Sequence, residues 1–442
     1  MKITIVGCGL RTPLLLSAIF EQLPVVDEIS LFDTDPAMSE LMESLGNILR
    51  PGKGTRLGVA SSGQEALRGA AFVISSVRAG GMSSRALDER TSFEAGIAGQ
   101  ETIGPAGFAM AIRNVPAVLH YARLMEEVAP SAWLINLANP AGIVTEAIRR
   151  HSRIRAVGIC DTPQELIFRI AATLAVPVHN IRVEYFGLNH LGWIRSVKVN
   201  GREQMDNLLA GEASLHSIYP QAFFDAALLR KVGLLPTEYL YFYYRGRRAW
   251  QQQATVGRTR GEELSLLNVA LVDKLRKRVL SGDSEGALEH YSAYLNRRDA
   301  SYLKAEVAGS SALHFDPPRW DPFHTETGYH RIAVATIEAL AGLTSRSRLV
   351  LNVPPASSFE LWPPGSVAEV SCEIQNGAIV PDLISNIPHP ARELMQSVKS
   401  YELATIEAAI SGETDARIWA LAQNPLVGDW DVAADLVPKL QL

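Results

Sequence analysis

An apolar run from Lys2 to Val6 ends at Gly7-Cys8-Gly9, and a helical pattern from Pro13 to Leu23 follows at once. A short buried strand, a tight glycine turn and a proline-opened helix form one supersecondary unit that leaves little freedom for what comes next. The alternation continues. Glu28 to Phe32 is a second strand closing on Asp33, and Ala71 to Val77 is a third leading to Arg78-Ala79-Gly80-Gly81. Trp133 to Leu137 leads to Asn139-Pro140, and Arg155 to Ile159 ends on Cys160. Helical stretches such as Val115 to Val128 separate them, which is the pattern of a Rossmann-like doubly wound parallel sheet. Ligands bind at the carboxyl ends of such strands, so Gly9, Asp33, Arg78, Asn139 and Cys160 are expected on one rim.

Beyond about residue 181 the pattern changes. Val183 to Val199 reads as antiparallel strand with an Asn200-Gly201 turn, and Ile374 to Val380 repeats the signal around Asn376-Gly377. Helical patterns lie at Glu263 to Leu280, Tyr329 to Leu343 and Ala391 to Ile410, the last stopped by Gly412. The expected division is an α/β domain over 1–180 and an α+β domain over 181–442. No flexible linker separates them, so the boundary near 165 to 185 is expected to be a packed interface. Pro51 to Gly63 is expected as a surface loop on the nucleotide side.

With 442 residues and 47% hydrophobic content, two packed domains are the natural outcome. A formal charge of -5 and a pI near 6.1 give no global attraction to nucleic acid or an anionic membrane. Three cysteines make no disulfide framework, and no apolar run reaches the roughly 18 residues of a membrane span. A soluble cytoplasmic protein acting on a small molecule is expected.

Gly7-x-Gly9 lets the backbone approach a pyrophosphate at the helix N-terminus. Asp33, about 24 residues beyond Gly9, sits where a carboxylate accepts hydrogen bonds from adenosine ribose hydroxyls and repels a 2′-phosphate, favouring NAD. The bland reading of Asp33 is a turn cap in Asp33-Thr34-Asp35-Pro36. Cys160 and His190, the latter in Gly187-Leu188-Asn189-His190, are each commonly buried structural residues when met alone. Together they form a thiolate and imidazole pair for a transition metal with open positions. Four tyrosines crowd Tyr239 to Tyr244. They fit an aromatic core or interface strand, or a base whose pKa a nearby cation lowers.

Taken together, the glycine turn with Thr12-Pro13, Arg85 to Arg90, Gly99-Gln100-Glu101-Thr102, Asn139-Pro140-Ala141-Gly142, Gly158 to Pro163, Gly187 to His190 and Leu235 to Tyr239 resemble glycoside hydrolase family 4 over essentially the whole chain. Within it the chain looks most like the 6-phospho-β-glucosidase branch. The resemblance implies NAD+ and a divalent metal, Mn2+ in most members, and a mechanism outside the usual two-carboxylate scheme. Carbon 3 of the sugar is oxidised, a tyrosinate takes the proton on carbon 2, the glycosidic oxygen is eliminated, water adds, and carbon 3 is reduced again. Cys160 and His190 are the implied metal ligands. Tyr239 matches the base, with Tyr241 as fallback, and Asp161 matches a leaving-group acid. Gly7, Gly9, Leu10, Asp33 and Arg78 are the implied cofactor contacts, and Arg85, Asn139, Asn189 and Arg11 the substrate contacts. Homodimers or homotetramers are also implied.

One departure matters. Members acting on 6-phosphosugars carry a Gly-Gly-Gly-Ser turn whose serine helps bind phosphate, whereas this chain has Gly7-Cys8-Gly9-Leu10-Arg11. Arg11 offers charge in place of the hydroxyl. An α-linked or unphosphorylated glycoside or a uronide is the alternative substrate. The rival from another class is a 2-hydroxy acid dehydrogenase of the lactate or malate type, which shares the sheet and the α+β partner domain.

Overall fold

The computed structural model describes residues 1–52, 54–221, 223–308, 320–356 and 362–442. Strands β1 (Lys2–Val6), β2 (Glu28–Phe32), β3 (Arg56–Val59), β4 (Phe72–Ser75), β5 (Trp133–Asn136) and β6 (Arg155–Gly158) are parallel, in the order β3-β2-β1-β4-β5-β6. This is the doubly wound order, with its reversal of direction between β1 and β4. Ile3, Ile5, Val73, Ile74, Leu134 and Ile135 are buried because helices cover both faces, which is why these strands read as apolar runs rather than alternations. The expected Pro51–Gly63 loop is corrected here. Arg56–Val59 pairs with β2 as an edge strand, too short and too half-buried to show a period.

The second half contributes to two sheets. β7 (Ile181–Leu188), β8 (Leu191–Val199), β9 (Arg202–Glu203) and β10 (Leu235–Pro236) form one of their own. The segment expected as a single strand signal from Val183 to Val199 is a hairpin broken by the two-residue turn Asn189-His190, with His190 at φ 62°. Asn200-Gly201 and Asn376-Gly377 turn as expected, all four residues having positive φ. The remaining strands β11 (Arg346–Val353), β12 (Ala368–Gln375) and β13 (Ala378–Pro381) extend the first sheet, β11 pairing antiparallel with β6 through Asn352 and Gly158. One nine-stranded sheet therefore runs across the sequence boundary near 180. Both halves share one continuous core, so the β7–β8 turn is held at a fixed distance from the strand ends.

The tyrosine-rich segment is a helix rather than a strand, Leu240–Val256, with Tyr239 at its N-cap. Thr237 N–H donates to the Gly192 carbonyl at 2.9 Å, which ties the start of that helix to β8.

Candidate active site

The glycine turn closes on itself first. Gly7 has φ 85°, and a Cβ there would lie 2.7 Å from the Ser76 backbone, so only glycine lets β1 and the loop after β4 approach. A Cβ on Gly9 would meet nothing within 4 Å, leaving open space over the turn. Asp33 supports the turn from β2. Its Oδ2 accepts the Cys8 N–H at 2.7 Å and its Oδ1 the Asp35 N–H at 2.9 Å. The turn-cap role is thus real, and the remaining lone pairs leave the ribose role available. Leu10 offers its carbonyl to the Tyr291 hydroxyl at 2.6 Å.

A cavity of about 660 Å³ opens beside this turn, lined in part by Arg11, Asn139, Asp161, Tyr239, Tyr302 and Tyr329. The ends of β5 and β6 supply Asn139 and Asp161, the latter at the N-cap of helix Thr162–Thr173. Burial pushes the Asp161 carboxyl up to about 7, while Arg11 pulls it down and Glu165 and Glu238 push it up. A carboxyl that keeps its proton near neutrality suits a proton donor. Arg11 stacks 4.3 Å over the Tyr329 ring. Burial works against its charge, but Tyr329, Asp161 and Glu101 hold it.

Behind this wall lie Cys160 and His190, both 2% exposed. The His190 ring packs 4.1 Å from that of Tyr239, and neither ring nitrogen has a hydrogen-bond partner among the described residues. Burial lowers the imidazole to about 3 against the pull of Glu101, so the ring is neutral, the form that ligates metal. Cys160 Sγ lies 3.8 Å from the Tyr329 hydroxyl and 4.0 Å from Asp161 Oδ1, and Thr162 also hydrogen-bonds it. Burial, then Glu369 and Asp161, push its thiol well up. Asn139 Oδ1 is also buried without a partner. Imidazole nitrogens, a thiol and an amide oxygen are donor types that a cation accepts, and among the described residues no three His, Cys, Asp or Glu side chains cluster as a metal site. Burial and Cys160 raise the Tyr239 phenol well above its ordinary value, while a hydrogen bond from Tyr302 acts the other way. A nearby cation reverses such a rise.

The arginines are differently placed. Arg78 and Arg85 each lie 2.8 Å from Glu101 Oε2, and Arg85 Nε is 2.7 Å from Glu89. Burial alone would raise the Glu101 carboxyl, but Arg78, Arg85, Arg298 and Arg11 hold it well below the ordinary range.

Of the expected residues, Tyr239, Asp161, Asn139 and Arg11 line the cavity, and Cys160 and His190 back it. Three expected residues lie off the cavity lining. Tyr241 points away from the cavity, its hydroxyl donating to the Glu306 carbonyl at 3.2 Å, because two helical positions turn a side chain to the opposite face. Arg85 is consumed by its two carboxylates and does not reach the cavity lining. Asn189 is held between the Gly142 N–H and Glu369 at 3.3 and 3.1 Å. Arg298, Tyr302 and Tyr329 went unseen, being single polar residues in helical or irregular stretches without a motif, and Glu238, inside the Leu235 to Tyr239 motif, was given no role.

A protein with a doubly wound sheet, a cofactor-type glycine turn and a metal-ready cavity beside a buried tyrosine is an enzyme of the dehydrogenase architecture. The family 4 glycosyl hydrolase model matches residues 2–176 and the family 4 C-terminal domain matches 185–427, so the chain belongs to family 4 of the glycosyl hydrolases. The probable 6-phospho-beta-glucosidase of Bacillus subtilis is 26% identical over 100% of this chain and 95% of its own length. The 6-phospho-beta glucosidase from Thermotoga maritima, solved with manganese, NAD+ and glucose-6-phosphate, superposes with a TM-score of 0.80 at 24% identity, over 100% of this chain and 97% of that one. Lactate dehydrogenase from Eimeria maxima shares the architecture at TM-score 0.53 and 13% identity, over 93% and 94% of the two chains. The lactate dehydrogenase likeness extends to the fold, while the family match makes the chain a glycoside hydrolase. No helix among the described residues is long and apolar enough to cross a membrane.

Proposed function

We propose that the chain hydrolyses 6-phospho-β-glucosides with NAD+ and a divalent cation, most simply Mn2+. The observation that carries this reading is the pair of unpartnered His190 nitrogens behind Tyr239, beside the thiol of Cys160. The kinship with 6-phospho-β-glucosidases along the whole chain supports the substrate class. NAD+ held at the glycine turn would supply reversible hydride acceptance, and a divalent cation held by Cys160 and His190 would supply Lewis acidity toward the sugar hydroxyls.

The remaining work falls to side chains. Tyr239, with Tyr302 donating to it, removes the proton on carbon 2. Asp161 donates its proton to the departing glycosidic oxygen. Cys160 and His190 hold the cation, with Asn139 Oδ1 directed at the same region. Gly7, Gly9 and Leu10 present backbone to the pyrophosphate, and Asp33 receives the ribose. Arg78 supports the cofactor side through Glu101. Arg11 meets the sugar phosphate in place of the missing serine. Leu10, lacking a hydroxyl, favours a second reading in which the sugar carries no phosphate. Homodimers or homotetramers belong to the same reading, supported by Leu266, Val269 and Leu280 exposed on helix Arg260–Leu280.

The test is a paired assay of α- and β-nitrophenyl glucosides, with and without 6-phosphate, in heavy water with NAD+, Mn2+ and a reductant. Turnover of the phosphorylated β-compound with deuterium at carbon 2 is expected. Hydrolysis without exchange overturns the elimination chemistry, and preference for an unphosphorylated or α-linked compound overturns the substrate.

A further inference from the structure

Strand β12 carries Glu369 beneath the hairpin turn that presents His190. Glu369 stands opposite Asn352 in the β11–β12 ladder and is 1% exposed. Its carboxylate gathers donors from three elements. The Tyr185 hydroxyl on β7 reaches Oε2 at 2.6 Å, while Asn189 Nδ2 in the turn and Asn352 Nδ2 on β11 reach Oε1 at 3.1 and 3.0 Å. The approach of the Tyr185 hydroxyl requires Gly192 on β8, where a Cβ would lie 1.9 Å from it.

The other end of Asn189 is held as well. Its Oδ1 accepts the Gly142 N–H at 3.3 Å, and a Cβ on Gly142 would lie 3.0 Å from the Asn189 Cβ. The turn is therefore gripped one residue from His190, from the large sheet on one side and from helix Ala141–His151 on the other. His190 itself has no side-chain hydrogen bond among the described residues, and its φ of 62° is unusual for a residue with a Cβ. The direction of its ring depends on the turn backbone and on packing against Tyr239. A buried carboxylate that does not line the cavity beside the glycine turn and engages three donors is built to hold something in place.

We propose that Glu369 is a positioning residue for the Cys160/His190 metal site, fixing the Asn189-His190 turn so that the imidazole faces the cation. The proposal rests on the metal reading above. Outer partners of this kind typically set metal affinity by about 10- to 100-fold.

The experiment is titration of the full chain with Mn2+, read by electron paramagnetic resonance of the free ion, with NAD+ affinity measured alongside. Glu369→Ala is expected to weaken Mn2+ binding by about 10- to 100-fold and leave NAD+ binding unchanged. Glu369→Gln keeps the oxygen that Asn189 and Asn352 bond, and is expected to recover most of the loss. Asn189→Ala cuts the same link from the turn side and carries the test if Glu369→Ala does not fold. In the pair, the losses are expected to be less than additive. A folded Glu369→Ala or Asn189→Ala that binds Mn2+ as wild type does overturns the positioning role. His190→Ala separates the two levels, because unchanged Mn2+ binding there overturns the metal site itself.

Discussion

The two sides of the cavity solve opposite problems. On the side of β1 and β4 the charges are answered within the chain. Asp33 bonds the glycine turn, and Glu101 sits between Arg78 and Arg85, which also pairs with Glu89. On the side of the β7–β8 turn, both His190 nitrogens and Asn139 Oδ1 are buried without partners. Polar groups left unpaired contribute nothing to stability and often oppose it, so they persist where something else binds them. The first side is knit by ion pairs within the chain, with Arg78 Nη1 and Ser75 Oγ left without hydrogen bonds among the described residues, and the second leaves neutral ligand-type atoms open. Substitutions should accordingly reduce stability on the first side and binding or turnover on the second.

Tyr239→Phe is expected to have the largest effect. The ring still packs on His190, yet the base is gone, so turnover should fall by about 100- to 10,000-fold with little change in melting temperature. Turnover close to wild type, with deuterium still entering carbon 2, would remove Tyr239 from its role.

The paired side gives the reverse contrast. Arg85→Ala leaves buried Glu89 with the Gly261 N–H but without the guanidinium, while Glu101 keeps Arg78, and should cost about 3 kcal/mol in urea unfolding. His190→Ala removes no hydrogen bond among the described residues, only the ring packing on Tyr239, and should cost less metal-free stability than Arg85→Ala while abolishing tight Mn2+ binding. Equal losses of stability in the two variants would erase the distinction.

Much of the paired side was legible because each parallel strand is a short apolar run ended by a glycine or polar residue, which marks both the element and its ligand-facing end. The edge strand β3 escaped because four half-buried residues show no period. The joining of β11 to β6 escaped because it rests on one long-range pairing, Asn352 with Gly158, that no local pattern encodes. On the open side, Cys160, His190, Tyr239 and Asp161 were legible through their motifs. Their partners were not. Tyr302 and Glu369 are single residues whose meaning comes only from what the fold brings against them, and the two carboxylates that Arg85 pairs with are invisible as partners in one dimension.

His330 tests an intermediate case. It lines the cavity as His190 backs it, but one ring nitrogen has the Thr325 hydroxyl 3.4 Å away. Burial, with Arg331 adding, lowers its pKa from 6.5 to about 4, while Glu21 opposes. The folded ring is neutral, so its contribution is complete above about 6.5 and is lost as pH falls toward 4, where the unfolded chain takes up a proton that the fold refuses. The shift corresponds to about 3 kcal/mol. Urea unfolding of wild type and His330→Gln at pH 7.5 and 4.5 should show wild type losing more on acidification by up to that amount. Parallel curves would mean that the ring titrates normally.

The smallest effect separates two glycines of one turn. Gly7→Ala puts a Cβ 2.7 Å from the Ser76 backbone at a positive φ, so it should destabilise the chain by about 1–3 kcal/mol whether or not NAD+ is present. Gly9→Ala meets nothing and should leave the free protein as stable as before. If the open space over Gly9 is where the pyrophosphate lies, the added methyl should weaken NAD+ binding about tenfold, close to 1.4 kcal/mol, by calorimetry. Two alanines two residues apart, one felt by the fold and one by the ligand, would then place the line between scaffold and site inside the turn itself. Equal NAD+ affinity in Gly9→Ala and wild type would move that line outward, past Leu10.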